Sequence, residues 1–218
     1  MKRDHFLRMT GVALFAVAFG LVEASVVVYL RALYSPGGVA FPLAPLPRAH
    51  LDVELCREAA TMVMLAALGW LAGKNRWNRL GFFLVSFGVW DLSFYAWLRL
   101  FLGWPASLLD WDILFLLPVP WIGPVLAPVS VAVIMVIFGA MIAARTSGTG
   151  RFRPGAGSWV LALTGTGGIL ISFMRDTHAT LYGAMPEPYW YWLLWLSLAC
   201  YGAAMAIAWR RGEHPGHS

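Results

Sequence analysis

Residues 87–99 have the sequence FGVWDLSFYAWLR, and residues 19–31 have the related sequence FGLVEASVVVYLR. Phe, Gly, a carboxylate, Ser, Leu and Arg recur at the same spacing, which aligns Glu23 of the first copy with Asp91 of the second. Both stretches are otherwise apolar, and an ionisable side chain in the middle of an apolar helix is costly in lipid. The two acids are therefore candidate functional residues.

The apolar character of these stretches extends over most of the chain. Of its 218 residues, 60% are hydrophobic and 12% are charged, and a soluble domain usually carries about twice that charge. Apolar runs of roughly 20 residues are typical of membrane helices. We predict an all-α, polytopic integral membrane bundle of six transmembrane helices, at about 9–30, 55–73, 80–102, 125–144, 157–175 and 189–209.

The repeated motif suggests how this single membrane domain, residues 1–218, is organised. We predict three outward–inward helical hairpins, of which the first two form a tandem repeat. The repeats span about 9–73 and about 80–144, and the divergent third hairpin spans about 157–209. Sites in folds built from repeats commonly form where the repeats meet, so Glu23 and Asp91 are expected at the repeat interface.

The distribution of basic residues predicts the topology. Eleven of the 16 Lys and Arg residues lie in the termini or in the loops after the second and fourth predicted helices. An excess of Lys and Arg in short loops marks the cytoplasmic side. We therefore expect a multi-pass protein of the cell (inner) membrane with both termini in the cytoplasm. The same distribution gives the net charge of +5 a role in topology, and no nucleic-acid partner is predicted.

Charged residues of both signs are concentrated at the predicted outer ends of the helices. Interfacial anchoring explains part of this pattern, and ion pairing or ligand binding explains part of it. The candidates from this layer are Arg31, Arg99, Glu58, Asp110, Asp112, Asp176 and His178. His178 fits either a solvated loop or a metal or proton site with Asp176. We predict no metal site and no cofactor, because such sites need more closely clustered ligands.

The glycines of the repeat predict which way its acids face. Gly20 and Gly88 each precede the acid by three residues, so glycine and acid share one helix face. A glycine there lets another helix approach closely, and the acid is then expected to point into the bundle.

The residues around the second acid extend this site. Tyr95 lies one turn beyond Asp91 and is expected within hydrogen-bonding reach of it, while Trp90 adds apolar surface. Arg31 and Arg99 follow the acids by eight residues, a rise of about 12 Å. That distance excludes a direct pair within one helix and leaves a pair between repeats, or one through water.

The segment 109–128 is apolar but contains four prolines, which prevent a regular helix. Irregular backbone at membrane depth must be buried in protein or line a wet cavity. The segment is therefore either re-entrant over the outer mouth of the bundle or a loop on the membrane surface with its tryptophans in the headgroup region.

Two resemblances bear on these residues. The stretch from FGVWDLSFY through PASLLDWDILFLLPVPWIGPVLAP resembles a set of small bacterial multi-pass membrane proteins, which implies a topology and no activity. Trp90–Asp91 with Tyr95 looks like the tryptophan–acid pairing of small integral-membrane terpene cyclases. That likeness covers one helix and implies a buried acid that protonates an isoprenoid.

Three functions follow from these features. The first is a small transporter or a protein that handles ions or protons, with Glu23 and Asp91 as binding groups. The second is an intramembrane enzyme that acts on a lipid or isoprenoid by carboxylate acid/base catalysis. The third is a non-catalytic subunit or assembly factor of a membrane complex. The expected partners are the lipid bilayer, a small ion or lipid ligand, and either further copies of the chain or a larger membrane complex.

Overall fold

The apolar runs of the sequence form six long α-helices. The computed structural model describes residues 2–34, 47–148, 150–177 and 184–213. The elements are α1 (Lys2–Tyr34), α2 (Arg48–Ala72), α3 (Arg76–Leu102), β1 (Trp111–Phe115), β2 (Trp121–Pro124), α4 (Leu126–Thr146), α5 (Ala156–Met174) and α6 (Tyr191–Glu213). Each helix is long and apolar enough to cross a membrane. The prediction of an all-α bundle with six membrane-spanning helices is confirmed.

Helix α3 shows how local sequence sets the ends of a span. Its N-cap residue Asn75 accepts a hydrogen bond from the Asn78 N–H at 3.0 Å, which satisfies one of the free donors of the first turn. The helix ends at Gly103, which has a φ of 67° and donates its N–H to the Arg99 carbonyl. Only glycine adopts this left-handed conformation without strain.

The helices pack around α3, which contacts α1, α2 and α4, while α5 packs against α6. Small residues allow the closest of these approaches. A Cβ atom on Gly81 would lie 2.7 Å from the Gly139 carbonyl oxygen across the α3–α4 contact. The second and third predicted hairpins are therefore closely packed pairs. In the first pair the contact is slight, because α1 packs on α3 far more than on α2.

The proline-rich segment contains an antiparallel β-hairpin formed by β1 and β2. Asp112 pairs with Gly123 and Ile113 with Ile122, and the register shifts between Ile113 and Phe115. This pairing satisfies the backbone polar groups that the prolines keep out of a helix. Residues Ile122 and Pro124 are buried, so this part of the segment has regular strand pairing and packs against the rest of the protein. We call the end of the bundle where it lies the hairpin end.

The hairpin is held in place by contacts to two helices. Trp121 stacks on Phe173 of α5 with 6.0 Å between ring centroids, and Phe115 lies 6.4 Å from Trp90 of α3. The Thr177 hydroxyl donates to the Pro120 carbonyl at 2.9 Å. These contacts position the hairpin over the space between the helices.

Candidate functional site

Five helices and the hairpin enclose a cavity of about 210 Å³, which we call the central cavity. Helices α1 to α5 all contribute lining residues. Its polar side carries four carboxylates and, among the described residues, one arginine: Glu23, Glu54, Glu58, Asp91 and Arg57. The rest of the lining is mostly aromatic and aliphatic. Both acids of the repeated motif face this interior space, as the glycine spacing predicted.

Glu23 is held in an ion pair. It is 5% exposed, and its carboxylate contacts the Arg57 guanidinium and accepts a hydrogen bond from the Thr61 hydroxyl at 3.0 Å. Arg57 also donates from Nε to Glu54 at 3.0 Å. Residues 54, 57 and 61 are separated by steps of three and four residues, a spacing that places side chains on one helix face. The charge of Glu23 is therefore matched by α2.

Glu58 of α2 has a different partner. Its two carboxylate oxygens accept the Leu116 N–H at 3.0 and 2.9 Å, and its side chain is buried. The backbone N–H just beyond β1 thus donates to a carboxylate, and a hydrogen bond to a charged acceptor is stronger than one to a neutral acceptor. This contact fixes the hairpin to α2.

Asp91 differs from these acids because it has no hydrogen bond or ion pair with any other residue that the structure describes. Its side chain lines the central cavity and is partly buried. An unmatched carboxylate inside a membrane bundle is costly. A proton, a cation or water must therefore complete this site.

Tyr95 and Arg31 converge on Asp112 of the hairpin. The Tyr95 hydroxyl donates to Asp112 Oδ2 at 3.0 Å, so the expectation of a Tyr95–Asp91 hydrogen bond is wrong. Arg31 Nη2 lies 3.5 Å from Asp112 Oδ1, and the guanidinium carbon is 3.9 Å from the Trp104 ring centroid. Burial raises the pKa of Asp112 to about 6, and Arg31 and the Tyr95 hydroxyl keep it from rising further. The arginine of the first copy therefore pairs with the hairpin rather than with a repeat acid.

Two tryptophans of the cavity wall carry unsatisfied donors. The indole N–H groups of Trp90 and Trp121 are buried and find no hydrogen-bond partner among the described residues. Trp90 is only 6% exposed. Buried indole N–H groups usually find an acceptor, so the acceptors of these two hydrogen-bond donors are missing from the described residues.

The remaining predicted residues lie away from the cavity. Arg99 is exposed and donates to the Pro105 carbonyl at 3.0 Å and to that of Gly103. Asp110 accepts the Ala106 N–H at 2.7 Å, and Asp176 accepts the Glu187 N–H. These three residues organise chain turns at the hairpin end. His178 lies outside the described residues.

The candidate site residues predicted from the sequence did not include three members of the polar side, Glu54, Arg57 and Thr61. The detectable pattern was the helical spacing of residues 54, 57 and 61 at the start of an apolar run. Spacing shows that they share a face, but the partner helix is needed to identify Glu23 as their target.

The carboxylates around the cavity do not form a metal cluster. Across the residues placed by the structure, no three His, Cys, Asp or Glu side chains group closely enough to hold a metal ion. Glu23 and Glu54 share Arg57 as a partner, and Glu58 accepts the Leu116 N–H instead. No protein family, curated protein or solved structure matches this chain. The chemistry of the central cavity is what points to a function.

Proposed function

We propose that this integral membrane protein is a small transporter that moves protons or small cations, with Asp91 as the binding carboxylate. One observation carries the proposal: Asp91 lines the central cavity between membrane-spanning helices and has no partner among the described residues. Intramembrane acids of this kind are typical of ion and proton pathways. A bound cation or proton would supply the charge that the protein does not.

The other acids support this role without sharing it. Glu23 is matched by Arg57 and Thr61, and Glu58 by the Leu116 N–H. They add negative potential around the cavity while their own positions stay fixed. A cation entering the cavity is therefore attracted by several charges but directly bound by Asp91.

We place the hairpin end on the outer face and both termini in the cytoplasm of the inner membrane. The distribution of Lys and Arg supports this orientation. The cavity lies between α1 and α3, which carry the two copies of the repeated motif. This position supports a site at a repeat interface, the arrangement common in transporters built from repeats.

The proposal is tested by transport in liposomes that contain the pH indicator pyranine. Gradients of Na⁺, K⁺ or tetramethylammonium are imposed, and the rate of internal pH change is measured. We expect at least one gradient to drive a change faster than in protein-free liposomes, and Asp91→Asn to slow it at least tenfold. Asp52→Asn is the matched control, because Asp52 is an exposed acid at the start of α2.

Two results would overturn the proposal. One is a wild-type rate equal to that of protein-free liposomes under every gradient. The other is an unchanged rate for Asp91→Asn in protein whose melting temperature equals that of the wild type.

The aromatic wall favours a second candidate, an intramembrane enzyme acting on a lipid or isoprenoid. Trp90, Phe94 and Trp121 line the cavity beside Asp91, and an apolar pocket with a few polar groups is typical of a small-molecule site. Native mass spectrometry tests for a co-purifying lipid. Conversion of that lipid by wild type but not by Asp91→Asn would replace transport with catalysis.

A further inference from the structure

The walls of the central cavity form a nearly continuous aromatic surface. Trp90 lies 5.4 Å from Phe87 and 6.2 Å from Phe94, measured between ring centroids. On the hairpin, Phe115 lies 5.7 Å from Trp121. All five residues line the cavity. Rings from a helix and from the hairpin thus surround the space beside Asp91.

Aromatic rings and a carboxylate together select a particular kind of cation. The faces of Trp and Phe attract cations within about 6 Å of the ring centroid, and aromatic cages are the typical site for substituted ammonium groups. Inorganic cations such as Ca²⁺ and Mg²⁺ instead require six or more oxygen ligands. Of the four described carboxylates that line the cavity, Glu23, Glu54 and Glu58 have partners within the protein, and Asp91 has none among the described residues.

We propose that the central cavity binds a small organic ammonium ion with apolar substituents, which pairs with Asp91 and packs against Trp90. This inference rests on the proposed function and names the class of its cargo. The cavity volume of about 210 Å³ equals roughly seven water molecules at ~30 Å³ each, so the ion must be compact. The ammonium charge offsets that of Asp91, and its alkyl groups replace water against the rings.

The two tryptophans indicate which members of this ligand class should bind most tightly. The Trp90 N–H is a buried donor for which the described residues supply no acceptor, and Trp121 across the cavity has the same deficit. An unpaired buried donor destabilises the protein. As they stand, both indole N–H groups are turned away from the cavity space. A hydroxyl or carbonyl oxygen on the ammonium ion would provide an acceptor once an indole ring turns its N–H toward the cavity, so such an ion is expected to bind more tightly than a plain tetraalkylammonium.

The test compares choline with 3,3-dimethyl-1-butanol, which has the same shape and no charge. Binding to purified protein in detergent is measured by calorimetry and by tryptophan fluorescence. We expect saturable choline binding at least tenfold tighter than that of the alcohol, and tighter than that of tetramethylammonium. Excess Na⁺ or K⁺ at constant ionic strength should not displace choline.

Substitutions of cavity residues test whether choline binds in the central cavity. Asp91→Asn should weaken choline binding at least tenfold, and Trp90→Leu should weaken it comparably. Trp90→Phe keeps a ring and removes the N–H, so it should reduce only the preference for choline over tetramethylammonium and provides a conservative variant if the leucine variant unfolds. The controls are Asp52→Asn and Trp192→Leu, whose native side chains are exposed.

The outcomes separate this inference from transport itself. Equal binding of choline and the alcohol, or no saturable choline binding, overturns the inference, and cation-driven pH changes that depend on Asp91 would then leave the transport proposal standing. Asp91-dependent choline binding without any flux supports the ligand class and overturns transport.

Discussion

The two copies of the repeated motif share an acid, a serine and an arginine at matching positions, but they differ in their surroundings. In α1, Glu23 is paired with Arg57 and bonded to Thr61. In α3, Asp91 has neither kind of partner among the described residues and lines the central cavity. The same motif therefore provides a matched acid in one copy and an unmatched acid in the other. The difference indicates that a functional site should be sought in the second copy, where the carboxylate charge is not matched by a described residue.

The arginines of the two copies differ in the opposite way. Arg31 is enclosed by Asp112 and the Trp104 ring, whereas Arg99 is exposed and bonds carbonyl oxygens of the following loop. The first copy thus has both its charges engaged within the fold. In the second copy the acid has no partner among the described residues, and the arginine lies in the last turn of the helix.

The largest effect is expected from a substitution that removes the partner of Glu23. Arg57→Met leaves Glu23 buried without a cation, and breaking a buried pair from one side costs roughly 3–5 kcal/mol. We expect a loss of this size in the free energy of unfolding, measured by tryptophan fluorescence in detergent. The double variant Arg57→Met with Glu23→Gln should recover part of the loss. A change below about 0.5 kcal/mol in the single variant, the size typical of surface positions, would show that Glu23 does not depend on Arg57.

An intermediate effect compares the two arginines at different pH values. The folded-state pKa of Asp112 is about 6, above its ordinary value of 3.8. Protonated Asp112 therefore favours the fold, and this contribution is complete below pH 3.8 and is lost as the pH rises through 6. Arg31→Met raises that pKa further, so the loss of stability should be greater at pH 8 than at pH 5. One pKa unit corresponds to ~1.4 kcal/mol, and we expect a difference of that order.

Arg99→Met is the matched control for this comparison. Its native side chain is exposed, so the free energy of unfolding should change by about 0.5 kcal/mol or less at both pH values. Equal pH dependence in the two variants would mean that Arg31 does not act through Asp112.

The last comparison concerns the glycines of the two copies. A Cβ atom on Gly88 would lie 2.5 Å from the Ala132 carbonyl oxygen and 2.7 Å from Val136 Cγ2, so helix α4 would have to move. Overpacking of this kind costs roughly 1–3 kcal/mol, which is our expectation for Gly88→Ala. At Gly20 the closest atom is the Ser93 hydroxyl, which can rotate, so Gly20→Ala should cost less. The melting temperatures in detergent rank the two, and the reverse order would contradict the packing.

The sequence predicted the membrane spans because hydrophobic length is a local property. It predicted the inward direction of Glu23 and Asp91 for a similar reason, since the position of a glycine on a helix face follows from spacing alone. The β-hairpin was harder to predict. Its prolines excluded a helix, but strand pairing between Asp112 and Gly123 depends on partners several residues apart and on burial against α5.

The sequence by itself determined that this is a six-span membrane protein with two acids inside its helices, because lipid imposes the same cost on any chain of that composition. Only the tertiary structure decided which of the two acids lacks a partner among the described residues. Glu23 lies next to Arg57, whereas Asp91 faces a cavity. A charge is matched by whichever side chain the packing brings near it, and motif spacing does not contain that information.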